Sequence, residues 1–335
     1  MSILVIYAGG TIGMQPGVAG LAPVPGALTG RLKQLLPESD LLEYDPLLDS
    51  SAMGPAHWNR IAGDIAERAD DYEGFLVLHG TDTLAWTASA LALLLRGLNK
   101  PVILTGAMRP WFESDSDAPC NVAAALALLD NACGFAEVGV VMAGRLWRGC
   151  RVRKVDCDHD DAFAAPNEAP LGVFDDGRWH LEVARFRRTD QALHFEPFDT
   201  AVRVLHLQLA PGFTTGWLAS ALRQGPPHAL LLQSFGSGNL PSDPALLAVL
   251  GELAARIPVV SLSICPRGRA RPGLYAASLQ SGGGLLDGGE MTPEAALAKL
   301  YLVLGYGHAK RAGAFLDDCV GERGEADSPV RPAVV

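Results

Sequence analysis

The stretch Ile3-Leu-Val-Ile-Tyr-Ala-Gly-Gly-Thr-Ile-Gly-Met14 holds the first residue able to do chemistry. It opens as a run of apolar, mostly β-branched or aromatic residues, the pattern of a buried strand. It breaks at Gly9-Gly10 and presents Thr11. Two glycines before a hydroxyl let the backbone turn sharply and let a ligand approach closely. A strand ending in such a loop can hold a nucleophile, with Gly10 beside the substrate. A Gly-rich phosphate turn is the competing reading. The spacing is Gly-Gly-x-x-Gly, so the dinucleotide fingerprint is not met.

A second strand-to-hydroxyl junction lies at Phe75-Leu-Val-Leu-His-Gly-Thr-Asp-Thr-Leu84, followed by an apolar helical run to Leu95. Thr81 or Asp82 falls where the helix N-cap belongs, and capping alone would account for them. Parallel strands of one sheet, however, end at the same edge. Thr11, Thr81 and Asp82 then become neighbours. A third hydroxyl-bearing loop, Asp49-Ser-Ser-Ala-Met53, precedes a helical pattern over His57–Arg68. Ser50 and Ser51 have turn chemistry as their ordinary role. Only five residues are lysines, and Lys154 stands out among them. Near Asp82 it could tune a hydroxyl by charge; otherwise it is a surface lysine. The adjoining run Asp156-Cys-Asp-His-Asp-Asp161 matches neither a calcium loop nor a zinc site, and a solvated or salt-bridged loop is expected.

These loops need a scaffold, and the sequence supplies a repeating one. Pro101–Met108 and Val138–Gly144 are further apolar strands with small-residue exits, and Asn121–Leu129 is a helix after the polar turn Ser114–Pro119. Uninterrupted apolar strands alternating with helices indicate a parallel sheet covered on both faces. Gln15–Ala27, rich in Gly and Pro, reads as a mobile surface loop beside Thr11. A second α/β run follows a segment that lacks both periods. It comprises strands at Val202–Leu209, Ala229–Phe235 and Pro258–Ile264, and helices at Thr214–Arg223, Pro244–Arg256 and Thr292–Leu304. The expected division is an N-terminal α/β domain over 1–185 carrying the catalytic loops, a linker at 186–200, a C-terminal α/β domain over 201–320 and a loose tail at 321–335.

The chain has 335 residues, 49% hydrophobic and 19% charged, enough for a sizeable core. Net charge is −10 with no basic run, which argues against nucleic acid as a partner. No apolar run approaches the roughly 18 residues of a membrane span. The N-terminus enters a strand without a basic flank, and six scattered cysteines form no Cys-x-x-Cys. A cytoplasmic protein with free thiols is expected.

Ala8-Gly-Gly-Thr-Ile-Gly13 and His79-Gly-Thr-Asp-Thr83 together resemble the two signature motifs of bacterial-type L-asparaginases. The similarity continues through Asp49–Met53, Gly106-Ala-Met-Arg-Pro110, Arg148-Gly-Cys-Arg-Val-Arg-Lys154 and Gly236-Ser-Gly-Asn239, and covers nearly the whole chain. The Arg-Gly-x-Arg-x-x-Lys segment is similar to the cytoplasmic type I branch, whereas Gly-Ala-Met-Arg-Pro is closer to the secreted branch. The resemblance implies a large N-terminal α/β domain with a mostly parallel sheet plus a smaller flavodoxin-like C-terminal α/β domain. It implies no cofactor and no metal, and a homodimer or homotetramer in which subunits share sites.

Carried over by position, Thr11 corresponds to a nucleophile that attacks the side-chain amide carbon of asparagine, and Thr81, Asp82 and Lys154 to a second catalytic trio. Ser50 and Ser51 correspond to residues that hold the α-carboxylate, Gly10 and Ala107 to substrate contacts, and Asn239 to a residue reaching toward the partner's substrate. An acidic residue supplied by the partner has no assigned counterpart around Arg267–Tyr275. One position departs from the pattern. The family's loop tyrosine, ten residues after the nucleophile, is Leu21 here. The expected function is conversion of L-asparagine to L-aspartate and ammonia through a threonine acyl-enzyme. The alternatives are a glutaminase, an amidotransferase-type amidase, or a non-catalytic binder of asparagine or aspartate, the last kept open by Leu21.

Overall fold

The computed structural model describes residues 2–17, 20–36, 39–131, 134–212, 215–271, 284–305 and 312–324. The chain divides into two units, Met1–Pro197 and Phe198–Val335. The first is built on strands β1 (Ile3–Gly9), β4 (Asp40–Leu48), β5 (Gly74–Leu78), β6 (Val102–Thr105), β7 (Val138–Met142), β8 (Arg145–Arg148), β11 (Gly172–Asp175) and β12 (Arg178–Leu181). They form one sheet in the order β12-β11-β8-β7-β6-β5-β1-β4. From β4 to β7 the pairing is parallel. β8, β11 and β12 run antiparallel to their neighbours.

β1 is buried at every position, as its apolar run requires. Successive side chains point to opposite faces. Ile3, Val5 and Tyr7 join Leu76 and Leu78 of β5 in one core cluster, together with residues of α1 (Ala27–Leu35) and α4 (Ala118–Asp130). The alternate residues Leu4, Ile6, Phe75 and Val77 are equally buried. Two more helices complete the unit, α2 (Pro55–Glu67) and the almost wholly apolar α3 (Leu84–Leu94), which pack against each other.

Several elements differ from the sequence reading. β4 was not expected: Glu43, Asp45 and Pro46 interrupt its apolar pattern, which an edge strand tolerates. The segment after Thr11, expected as a loop, forms an antiparallel hairpin of β2 (Met14–Gly17) and β3 (Gly20–Pro23). The turn of β11 and β12 places Asp176 and Gly177 at positive φ, the pairing that an Asp-Gly dipeptide favours.

The second unit has a four-stranded parallel sheet, β13 (Val204–Gln208), β14 (Ala229–Ser234), β15 (Val259–Ser263) and β16 (Leu286–Asp287), in sequential order. α5 (Thr215–Gln224), α6 (Pro244–Ala254) and the helix Pro293–Leu304 accompany it. Residues 186–200 carry no helix or strand. The expected tail does not begin loosely at 321. Glu322 is fully buried, accepts a hydrogen bond from Lys299 at 2.5 Å and takes two backbone N–H groups of Cys319 and Val320. Residues 325–335 lie outside the described residues, as do 272–275 of the segment searched for an acidic partner residue. Among the described residues no helix is long and apolar enough to cross a membrane. The described cysteines are free thiols.

Candidate active site

Parallel pairing of β1 with β5 sends both strand exits to one edge of the sheet, and β4 and β6 end there too. Gly10 has φ of 102°, and a Cβ there would overlap the Cα and N of Gly80. A Cβ on Gly80 would in turn meet the Ser50 Oγ. Only residues without side chains allow three loops to close this far. Thr11 and Thr81 each directly follow one of these two glycines, so the packing brings the two hydroxyl-bearing loops together at one edge of the sheet. Each opens a single 3-10 turn, Thr11–Gly13 and Thr81–Thr83.

Lys154 completes the group. It lies on β9 (Arg153–Lys154), a two-residue strand paired with β10 (Phe163–Ala164). Its Nζ donates to the Thr81 Oγ1 at 2.9 Å and to the Asp82 Oδ1 at 2.8 Å. Thr81 is 6% exposed, and the side chains of Lys154 and Asp82 are 18% and 68% exposed. The trio therefore grades from a buried hydroxyl through a half-covered cation to an open carboxylate. A cation on the oxygen of a buried hydroxyl favours its deprotonation.

Ser50 is buried, and its carbonyl accepts from the Thr83 hydroxyl at 2.6 Å, joining the β4 and β5 exits. Ser51 is exposed; its hydroxyl donates to the Asp49 carboxylate at 2.7 Å. Two hydrogen bonds from Ser51 hold the Asp49 carboxyl below its usual range. The exit of β6 forms a further wall. The open face of Gly106 lies against the His79 carbonyl and the Thr81 methyl, and Ala107 is buried beside it.

Leu21 sits on β3 opposite Pro16 and is 48% exposed. Asn239 belongs to the second unit, in a turn where its N–H donates to the Phe235 carbonyl at 2.8 Å. The acidic run after Lys154 is engaged by protein groups. Asp156 accepts from the Asp158 and His159 N–H groups and from the His159 ring, which hold its carboxyl at about 2. Asp160 pairs with Arg109 at 2.6 Å, and Asp161 pairs with Arg145.

Two features escaped the sequence reading. His79 is fully buried, and its Nδ1–H donates to the Gly80 carbonyl at 2.7 Å while its Nε2 accepts from the Thr87 hydroxyl at 2.9 Å. The carbonyl fixes that tautomer, because it can only accept. Burial pushes the imidazole down to about 4, against the opposing pull of the Gly80 hydrogen bond. The signal was its place within the second motif. The other feature is the Asp117–Asn121 pair at the start of α4, which the apolar pattern of that helix concealed.

Comparison with known proteins agrees with this architecture. Residues 2–186 match the family model described as asparaginase, N-terminal, and residues 203–313 match the glutaminase/asparaginase C-terminal domain. The chain is 40% identical to L-asparaginase 1 of Escherichia coli (strain K12) over 312 residues, 90% of this chain and 91% of that protein. The crystal structure of L-asparaginase I from Vibrio cholerae superposes with a TM-score of 0.84 at 36% identity, covering 96% of this chain and 98% of that one. The thermostable L-asparaginase from Thermococcus kodakarensis gives a TM-score of 0.85 at 29% identity, over 97% and 100% of the two chains.

Proposed function

Since the chain belongs to the asparaginase family, we propose that it hydrolyses L-asparagine to L-aspartate and ammonia by way of a threonine acyl-enzyme. The observation that carries the reading is the contact of Lys154 with Thr81 and Asp82 at the sheet edge where Gly10 and Gly80 bring the loops of Thr11 and Thr81 together. The Thr11 oxygen attacks the side-chain amide carbon and ammonia leaves with the proton taken from the hydroxyl. Water then cleaves the ester, returning Thr11 and releasing aspartate. Lys154 polarises the Thr81 hydroxyl by charge and hydrogen bonding, which eases the release of its proton. Asp82, open to solvent, pairs with Lys154 and with the substrate's α-ammonium. Ser50 and Ser51 address the α-carboxylate. Backbone N–H groups beside Thr11 and Thr81 receive the developing oxyanion.

In the assembled enzyme, Asn239 reaches toward the substrate of a partner subunit, within a homodimer or homotetramer acting in the cytoplasm. Leu21 favours a second reading, a slow enzyme or a binder that retains its substrate. Leucine cannot relay a proton, and the side chain stands half-exposed on its hairpin.

The test is ammonia release from asparagine by wild type and Thr11→Ala. Thr11 is partly exposed and outside the hydrophobic core cluster, so the variant should fold and lose turnover. Near-normal turnover in Thr11→Ala would overturn the mechanism, and a wild type inert toward asparagine would favour the binding reading.

A further inference from the structure

Asp117 occupies the N-cap position of α4 yet gives its own helix no side-chain cap. Its carboxylate turns instead to the loop leaving β6. It accepts the Met108 N–H at 3.0 and 3.1 Å and the Arg109 N–H at 3.0 Å. One turn along α4, the Asn121 amide nitrogen donates to the Gly106 carbonyl at 3.1 Å and to Asp117 at 3.0 Å. The Asn121 Oδ1 accepts the Ala143 N–H at the exit of β7, at 3.0 Å. Both side chains are buried in a helix that otherwise presents Ala118, Val122, Ala125, Leu128 and Leu129 to the core. Polar groups are retained in such a place only when fully satisfied, and these are.

The geometry points to Asp117 and Asn121 as positioning residues that aim the peptide groups of Ala107. A trans peptide sets its C=O and N–H in opposite directions. Asn121 holds the Gly106 carbonyl toward α4, so the Ala107 N–H faces away from α4. Asp117 holds the Met108 N–H toward α4, so the Ala107 carbonyl faces away as well. Neither Ala107 group has a hydrogen-bond partner among the described residues, although the residue is buried and its loop lies against Thr81. One open donor beside one open acceptor complements a carboxamide, which offers C=O and NH2 together. The inference rests on the asparaginase reading above. It adds that the aim of this pair of groups depends on two residues that do not touch the substrate, and that Asp117, through the acceptor, sets the selection of an amide over an ester.

The experiment compares asparagine with aspartate β-methyl ester, which keeps the carbonyl and lacks the NH2. Wild type, Asn121→Ala and Asp117→Asn are assayed for kcat and KM on both substrates, with thermal melting to check the fold. Asn121→Ala removes the hold on the Gly106 carbonyl. Asp117→Asn removes a charge that serves three donor groups while keeping the shape, and carries the comparison should Asn121→Ala not fold. Misaiming a group that the transition state needs costs about 10- to 100-fold. For Asp117→Asn, which frees the carbonyl that faces the NH2, the expected result is a loss of that size in kcat on asparagine and a clearly smaller loss on the ester; for Asn121→Ala, which frees the N–H that faces the carbonyl common to both substrates, it is a similar loss on both. Equal losses on both substrates in Asp117→Asn, or full activity in folded variants, would overturn the inference. A wild type that cleaves the ester but not asparagine overturns it too. A wild type inert on both substrates would instead remove the asparaginase reading beneath it.

Discussion

Lys154→Met and Thr81→Val, singly and together, interrogate the trio most directly. Lys154 is held at 2.9 Å from the Thr81 oxygen and 2.8 Å from Asp82. A hydrogen bond from a charged donor contributes about 1.5–3 kcal/mol, which sets a lower bound of roughly 10- to 150-fold on the rate. If Thr81 carries a full negative charge in the transition state, Coulomb's law at an effective dielectric of about 20 gives roughly 6 kcal/mol at this distance, an upper bound. The expected loss for each single variant is therefore about 10²–10⁴ in kcat, the range of a positioned acid–base group. Stability should hardly move. Asp82 is largely in water, and an ion pair at such a surface contributes about 0–1 kcal/mol. The assay is steady-state ammonia release at saturating asparagine, alongside melting temperatures. Groups that act as one unit are not additive, so the double variant should be only slightly worse than either single one. Losses that multiply would refute the reasoning, because Lys154 would then act on something other than Thr81.

Two further outcomes follow from the same geometry. Leu21→Tyr should raise the turnover number at least about several-fold, restoring an acid–base group to the hairpin after Thr11; fast wild-type turnover with no gain would show that another group activates Thr11. His79 ties stability to acid. Its folded value near 4 lies below the ordinary 6.5, so its contribution is complete above about pH 6.5 and is lost as pH falls toward 4. That displacement corresponds to roughly 3 kcal/mol, and His79→Gln should flatten the fall in melting temperature across this window. An unchanged slope would mean that other groups dominate acid unfolding.

Much of the scaffold was legible because buried parallel strands leave little choice of residue: β1, β5, β6 and β7 are almost wholly apolar, and each leads into a glycine within two residues. Thr11 and Thr81 were legible for the same reason, as hydroxyls at two such exits. Lys154 was legible only as a scarce lysine that could tune a hydroxyl if it lay near Asp82, since a two-residue strand has no periodicity and its 73-residue separation from Thr81 is closed only by tertiary packing. Its place in a catalytic trio came from family resemblance. β4 was hidden because an edge strand tolerates Glu43, Asp45 and Pro46. The hairpin after Thr11 was taken for a loop because its Gly and Pro residues signal turns more strongly than they signal pairing. Asp117 and Asn121 were concealed for another reason. Both belong to α4 by sequence, but their hydrogen bonds are made to strand exits that no helical pattern can announce.

The approach of the two exit loops is thus a property of the sheet more than of any side chain. β1 and β5 pair with Tyr7 opposite Leu78, and neighbouring strands lie about 4.8 Å apart. Thr11 and Thr81 follow those paired residues within one short turn each, so both exit loops leave neighbouring strands at the same edge. The glycines remove the side chains that would hold the loops apart, and the Thr83 contact with the Ser50 carbonyl ties in the third exit. A one-residue slip between β1 and β5 would move every paired side chain to the wrong face and cost the core before it cost the site. The apolar strands that fold the unit therefore also fix the register of its chemistry.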